Sequence, residues 1–117
     1  MQVCEIRDAL SARVLCGEEA MDREICTACG CDLMSDVLAF IKSKAILLTG
    51  LVNPHVVRTA EMLDIQAIAF VRGKTPPAEV LEMARERDII IMNTDLTLYE
   101  ACGVLYEKGL PGGVKAQ

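Results

Sequence analysis

Three short apolar runs, Ala45-Ile46-Leu47-Leu48, Ala67-Ile68-Ala69-Phe70 and Ile89-Ile90-Ile91-Met92, begin 22 residues apart. Each is continuous rather than alternating. A strand buried on both faces needs that composition, because helices must cover the sheet above and below. A helical pattern follows every run, so residues 45–109 read as three βα units, βαβαβα, of an open parallel sheet.

The helix boundaries carry their own chemistry. Asn53-Pro54 offers a side-chain cap and a first-turn proline, Thr75-Pro76-Pro77 repeats the device, and Thr97 with Glu100 fits a capping box. Val56, Val57, Ala60 and Leu63 form one apolar face, Val80, Leu81 and Ala84 a second. Gly109 ends the helix carrying Leu98, Ala101, Cys102 and Leu105.

Residues 1–44 are less regular. Val3, Ile6 and Leu10 suit a short helix, Arg13–Cys16 an edge strand stopping at Gly17, and Leu33, Val37, Leu38 and Ile41 another helix. Between them lies a Cys-rich loop, 26–31, and residues 110–117 read as a tail. Asp32 or Ser35 is expected to cap the helix that follows the loop.

At 117 residues the chain has room for one domain, 1–117, which buries about two-thirds of its unfolded surface without disulfide or metal staples. A formal charge of −5 and 3% aromatic residues supply neither a basic field nor a stacking platform, so nucleic acid is not an expected partner. Lys42, Arg58, Asp64 and Arg72 break every apolar run before it could span a bilayer, so no membrane role is expected. Met1-Gln2-Val3-Cys4-Glu5 has no basic region leading into an apolar run, and the expectation is a cytoplasmic protein with reduced thiols.

Two constellations could carry chemistry. Cys26, Cys29 and Cys31 form C-x2-C-x-C, a spacing that brings soft ligands toward zinc or an iron–sulfur cluster; the competing reading is ordinary packing of small apolar side chains. No cofactor is otherwise expected. The second constellation follows from where open parallel sheets bind ligands, beyond the carboxyl ends of the strands. Those ends carry Thr49 and Gly50, then Arg72, Gly73 and Lys74, then Asn93, Thr94 and Asp95, with Asn53 and His55 at the adjoining helix start. A helix N-terminus beside two cations suits a phosphate or carboxylate. His55 is the sole histidine, and no nucleophile or paired carboxylate is placed beside it by spacing. Motifs for nucleotide hydrolysis, dinucleotide binding and zinc proteolysis are absent from the sequence.

Asp22-Arg23, Asp32-Leu33-Met34-Ser35-Asp36-Val37, Thr49-Gly50, Asn93-Thr94-Asp95-Leu96 and Leu105-Tyr106-Glu107-Lys108-Gly109 together resemble a DRTGG domain, from about residue 2 to residue 112. The family's signature is Asp-Arg-Thr-Gly-Gly; here Asp22-Arg23 is followed by Glu24-Ile25-Cys26-Thr27-Ala28, without the glycines. The resemblance implies a three-layer α/β/α fold with a mostly parallel or mixed sheet built from βα units, similar to the amino-terminal domain of HPr kinase/phosphorylase. Family members also occur within long phosphotransacetylases and between the CBS domains of regulated pyrophosphatases, where the domain is regulatory or dimer-forming. Some free-standing members are associated with iron hydrogenase systems, which implies a protein partner in a redox system. The resulting expectation is a non-enzymatic regulatory domain that forms a homodimer and binds a small anionic ligand such as an adenine nucleotide. The alternatives are a metal or thiol redox module built on the three cysteines, and a small enzyme with His55 as base and Arg72 as anion clamp.

Overall fold

The computed structural model describes residues 1–40 and 44–112. Five strands form one sheet in the order β1-β5-β4-β3-β2: β1 Arg13–Cys16, β2 Thr27–Gly30, β3 Ala45–Thr49, β4 Ala67–Phe70 and β5 Ile90–Asn93. β2 to β5 run parallel, and β1 is antiparallel to β5, so the sheet is mixed. The three 22-residue repeats are its central strands, every residue of which is buried.

Alternation along those strands sorts the core into two layers. Ile46, Leu48, Ala69 and Met92 face α1 (Val3–Leu10) and α5 (Leu98–Glu107). Leu47, Ile68, Phe70 and Ile91 face the other layer, made by α2 (Met34–Phe40), α3 (Pro54–Met62) and α4 (Ala78–Glu86). Fully burying side chains of this size contributes about 1.5–3 kcal/mol each, so the two-sided core is the main source of stability. The expected three-layer α/β/α architecture is therefore present. Among the described residues no helix is long and apolar enough to cross a membrane.

Capping follows the local sequence at α3 and α5. Asn53 accepts from the His55 N–H with Pro54 in the first turn, and Thr97 and Glu100 complete a capping box. At α4 the expectation fails: Pro77 occupies the N-cap in an extended conformation with no side-chain cap, and Thr75 lies too far upstream to reach the first turn. Lys44, Asp64 and Asp88 all adopt left-handed backbone just ahead of β3, β4 and β5, a turn device repeated with the βα unit.

The Cys-rich stretch 26–31 is not a loop. Thr27–Gly30 pairs in parallel with Ala45–Leu48 as the edge strand β2. Its own residues form no apolar run; the backbone partner in β3 supplies the stabilisation that composition does not. Of the helix expected from Leu33, Val37, Leu38 and Ile41, Leu33 is exposed ahead of α2 and Val37 is buried in it, whereas the Leu38 side chain and Ile41 lie outside the described residues. The signature pair also has a position. Arg23 donates to the Asp88 carbonyl at 2.9 Å and to the Asp88 carboxylate at 3.0 Å, pinning the turn that leads into β5. That contact is at the amino ends of the strands, opposite the end that carries the expected ligand residues.

Candidate functional site

At the carboxyl end of β3, Thr49 is fully buried and its hydroxyl donates to Asp32 Oδ1 at 2.8 Å; the Gly50 N–H donates to the same oxygen at 2.7 Å. Asp32 therefore does not cap α2. The carboxylate is drawn away from its own helix because two donors converge on it from β3, and a charged acceptor makes the stronger bond there. The Gly50 N–H holds the Asp32 carboxyl below its ordinary range, helped by the Thr49 hydroxyl and by the Arg72 and Lys74 charges against a smaller opposing effect of burial. Asp32 is thus a built-in anion at the point where glycine backbone was expected to meet a ligand. Its position in the motif block 32–37 was the sole hint of this in the sequence.

Arg72 lies over the same strand end. A Cβ added to Gly50 would sit 2.7 Å from an Arg72 guanidinium nitrogen, so glycine at 50 makes room for that group. The Arg72 backbone is left-handed (φ 58°), as is Gly73 (φ 66°), and the Lys74 N–H donates to the Val71 carbonyl at 3.2 Å. This is a type I′ turn with a non-glycine residue at its first central position, a conformation that costs about 1 kcal/mol or more. Among the described residues no carboxylate pairs with Arg72 or Lys74 within salt-bridge distance.

The remaining strand-end residues form a second group. The Gly73 N–H donates to the Thr94 carbonyl at 2.7 Å, the Arg72 N–H to the Leu96 carbonyl at 2.8 Å, and Asn93 Nδ2 to the Lys74 carbonyl at 3.2 Å. β4 leads to α4 and β5 leads to α5 on the opposite face, so the chain diverges here; these three bonds tie the diverging loops together. Thr94 is turned inward, its hydroxyl donating to the Leu10 carbonyl at 2.7 Å. Arg13, which the sequence did not single out, donates to Asn93 Oδ1 at 3.0 Å and Asp95 Oδ1 at 3.1 Å. The structure thus brings Thr49, Gly50 and Arg72 together around Asp32. It places Gly73, Asn93, Thr94 and Asp95 in the β4–β5 junction. Asn53 is engaged as a helix cap, and among the described residues the exposed His55 imidazole has no hydrogen-bond partner.

The three clustered cysteines do not converge. Strand alternation sets Cys29 and Cys31 against the α2 side of the sheet, while Cys26 is exposed at the start of β2, in register with the opposite face. Cys31 is already engaged locally, its sulfur accepting from the Leu33 N–H at 3.3 Å. Among the described residues, which include all six cysteines, no group of three or more His, Cys, Asp or Glu side chains is placed to hold a metal. The donor set does not fit zinc or a cluster.

Burial pushes the Cys29 thiol up, reinforced by Cys31, Cys102 and Asp36, and burial also raises Cys16 and Cys102. These thiols are protonated at neutral pH, which suppresses their nucleophilicity. Maleimide labelling of the native protein at neutral pH, followed by peptide mass mapping, is expected to modify exposed Cys26 first and Cys16, 1% exposed, last. Equal rates at the two positions would contradict this placement.

No protein-family model matches the sequence, and no curated protein matches it. Among solved structures the chain is similar to the CBS and DRTGG domains of the regulatory region of Clostridium perfringens pyrophosphatase, complexed with the activator diadenosine tetraphosphate. The TM-score is 0.75 at 20% identity, over 94% of this chain and 47% of that one. The fold is DRTGG-like. The chain spans about half the length of that structure, and what the two share is the arrangement of the DRTGG-like fold.

Proposed function

We propose that this DRTGG-like chain is a non-catalytic regulatory domain that self-associates and binds a small anionic ligand, in the first instance an adenine nucleotide, at the carboxyl ends of β3 and β4. The observation that carries this reading is Arg72: a guanidinium with no carboxylate within salt-bridge distance among the described residues, held over Gly50 by a left-handed turn that a glycine would adopt at lower cost. Arg72 and Lys74 serve as the cationic contacts, with the start of α3 at Asn53–His55 adjoining them. Asp32 fixes the strand end rather than contacting the ligand, since its oxygen already accepts two hydrogen bonds. The similarity to a regulatory region crystallised with a dinucleoside polyphosphate supports both the regulatory role and the ligand class. A cytoplasmic location accords with six free thiols.

Calorimetric titration with AMP, ADP, ATP and diadenosine tetraphosphate tests the reading. Arg72→Gly is expected to weaken binding about tenfold or more by removing a charge-assisted contact. The same substitution is expected to raise the thermal midpoint, because it relieves the left-handed arginine. Unchanged affinity in Arg72→Gly, or no binding of any of these nucleotides at millimolar concentration, overturns the site.

A further inference from the structure

Gly103 lies in the interior of α5, where glycine is a poor helix former. It is exposed, and a Cβ built on it meets nothing within 4 Å. Packing among the described residues therefore gives no reason for a glycine there. Four residues before it and three after it stand both tyrosines of the chain, Tyr99 and Tyr106, 88% and 75% exposed. Spacings of i, i+4 and i+7 put the three on one helix face. All three line a cleft of about 390 Å³ whose other wall is the small-residue surface of β2, Ala28 and Gly30.

We infer that this face is where a second copy of the chain docks, with the two α5 helices antiparallel and crossing beside Gly103. The inference rests on the self-association in the proposed function and names its surface. A two-fold contact requires one patch to carry both projection and recess. This patch does: two tyrosines project on either side of a glycine gap, next to a cleft. In the antiparallel arrangement Tyr99 of one copy lies against Tyr106 of the other, and the missing Cβ at 103 lets the backbones approach. Two tyrosines at about 150–250 Å² each supply roughly half of the ~800 Å² that each partner buries in a stable interface. Pairing through the edge of β2 is a poorer route, because the Ala28 N–H already donates to the Pro111 carbonyl at 3.0 Å and Ala28 pairs with Gly112.

Sedimentation equilibrium on the full chain, from low to high micromolar concentration, reads the outcome, with circular dichroism confirming the fold of each variant. The wild type is expected to be a dimer. The double variant Tyr99→Ala/Tyr106→Ala is expected to raise the dimer dissociation constant on the order of 30-fold or more, the size expected for paired aromatic anchors. Gly103→Ala is expected to weaken the dimer while raising the thermal midpoint of the dilute monomer, two shifts of opposite sense that a role internal to the fold would not produce. A dimer insensitive to all three substitutions overturns the α5 surface and leaves self-association standing. A wild type that stays monomeric at high micromolar concentration overturns both.

Discussion

Replacing Asp32 with alanine is expected to destabilise the protein by about 2 kcal/mol at neutral pH, because it strips the acceptor from a fully buried Thr49 hydroxyl and from the Gly50 N–H. The sign of the pH dependence follows from the carboxyl, which sits below its ordinary range in the folded state, chiefly through the Gly50 N–H. A depressed folded pKa means that the unfolded chain takes up the proton first as pH falls. The stability that Asp32 contributes is therefore fully present above about pH 4, the ordinary aspartate value, and is lost as pH drops toward the lower folded value. Urea unfolding of wild type and Asp32→Ala across this range should show a gap that is constant at neutral pH and narrows in acid. Asp32→Asn keeps a carbonyl acceptor, so it should cost less, about 1 kcal/mol, and lose the acid-dependent part. A neutral Asp32→Ala, or a gap that widens in acid, would contradict the assigned bonding. Because Asp32 braces the strand end beneath Arg72, the alanine variant should also weaken the nucleotide binding proposed at Arg72.

A second large loss is expected at Gly17, which links β1 to the turn that follows. Its φ is +89°, and an added Cβ would stand 3.0 Å from the Ile90 Cα and 2.8 Å from its Cγ1. The Cγ1 contact can yield by side-chain rotation, but the Ile90 Cα belongs to the β4–β5 pairing and cannot move without disturbing it. Gly17→Val combines left-handed strain in a β-branched residue with overpacking, together about 3 kcal/mol, and should lower the thermal midpoint on the order of 10 °C. Gly109 provides the control. It is also left-handed, at φ +100°, but among the described residues nothing lies within 4 Å of an added Cβ. Gly109→Val should therefore carry the conformational cost alone. Equal losses at 17 and 109 in parallel urea titrations would refute the close approach of Gly17 to β5.

What the sequence determined by itself is what neighbouring residues can encode. The 22-residue recurrence of apolar runs marks β3, β4 and β5, since a strand covered on both faces needs unbroken hydrophobicity. Asn53-Pro54, Thr97 with Glu100, and Gly109 mark the ends of α3 and α5, because caps act over three or four residues. Arg13–Cys16 was legible as an edge strand from its length and its stop at Gly17.

The tertiary structure alone decided the features whose partners are far away in the chain. Thr27–Gly30 is a strand because β3 pairs with it, and that pairing separates Cys26 from Cys29 and Cys31 by the two-residue alternation, whatever ligand spacing C-x2-C-x-C suggests. Asp32 left the helix cap that its position favoured for donors 17 and 18 residues away, which form a stronger charge-assisted pair than a local cap would. Arg23 likewise serves a carbonyl 65 residues distant. Local propensity is written in adjacent side chains, whereas the identity of a hydrogen-bond partner across the sheet exists only once the strands have been brought into register.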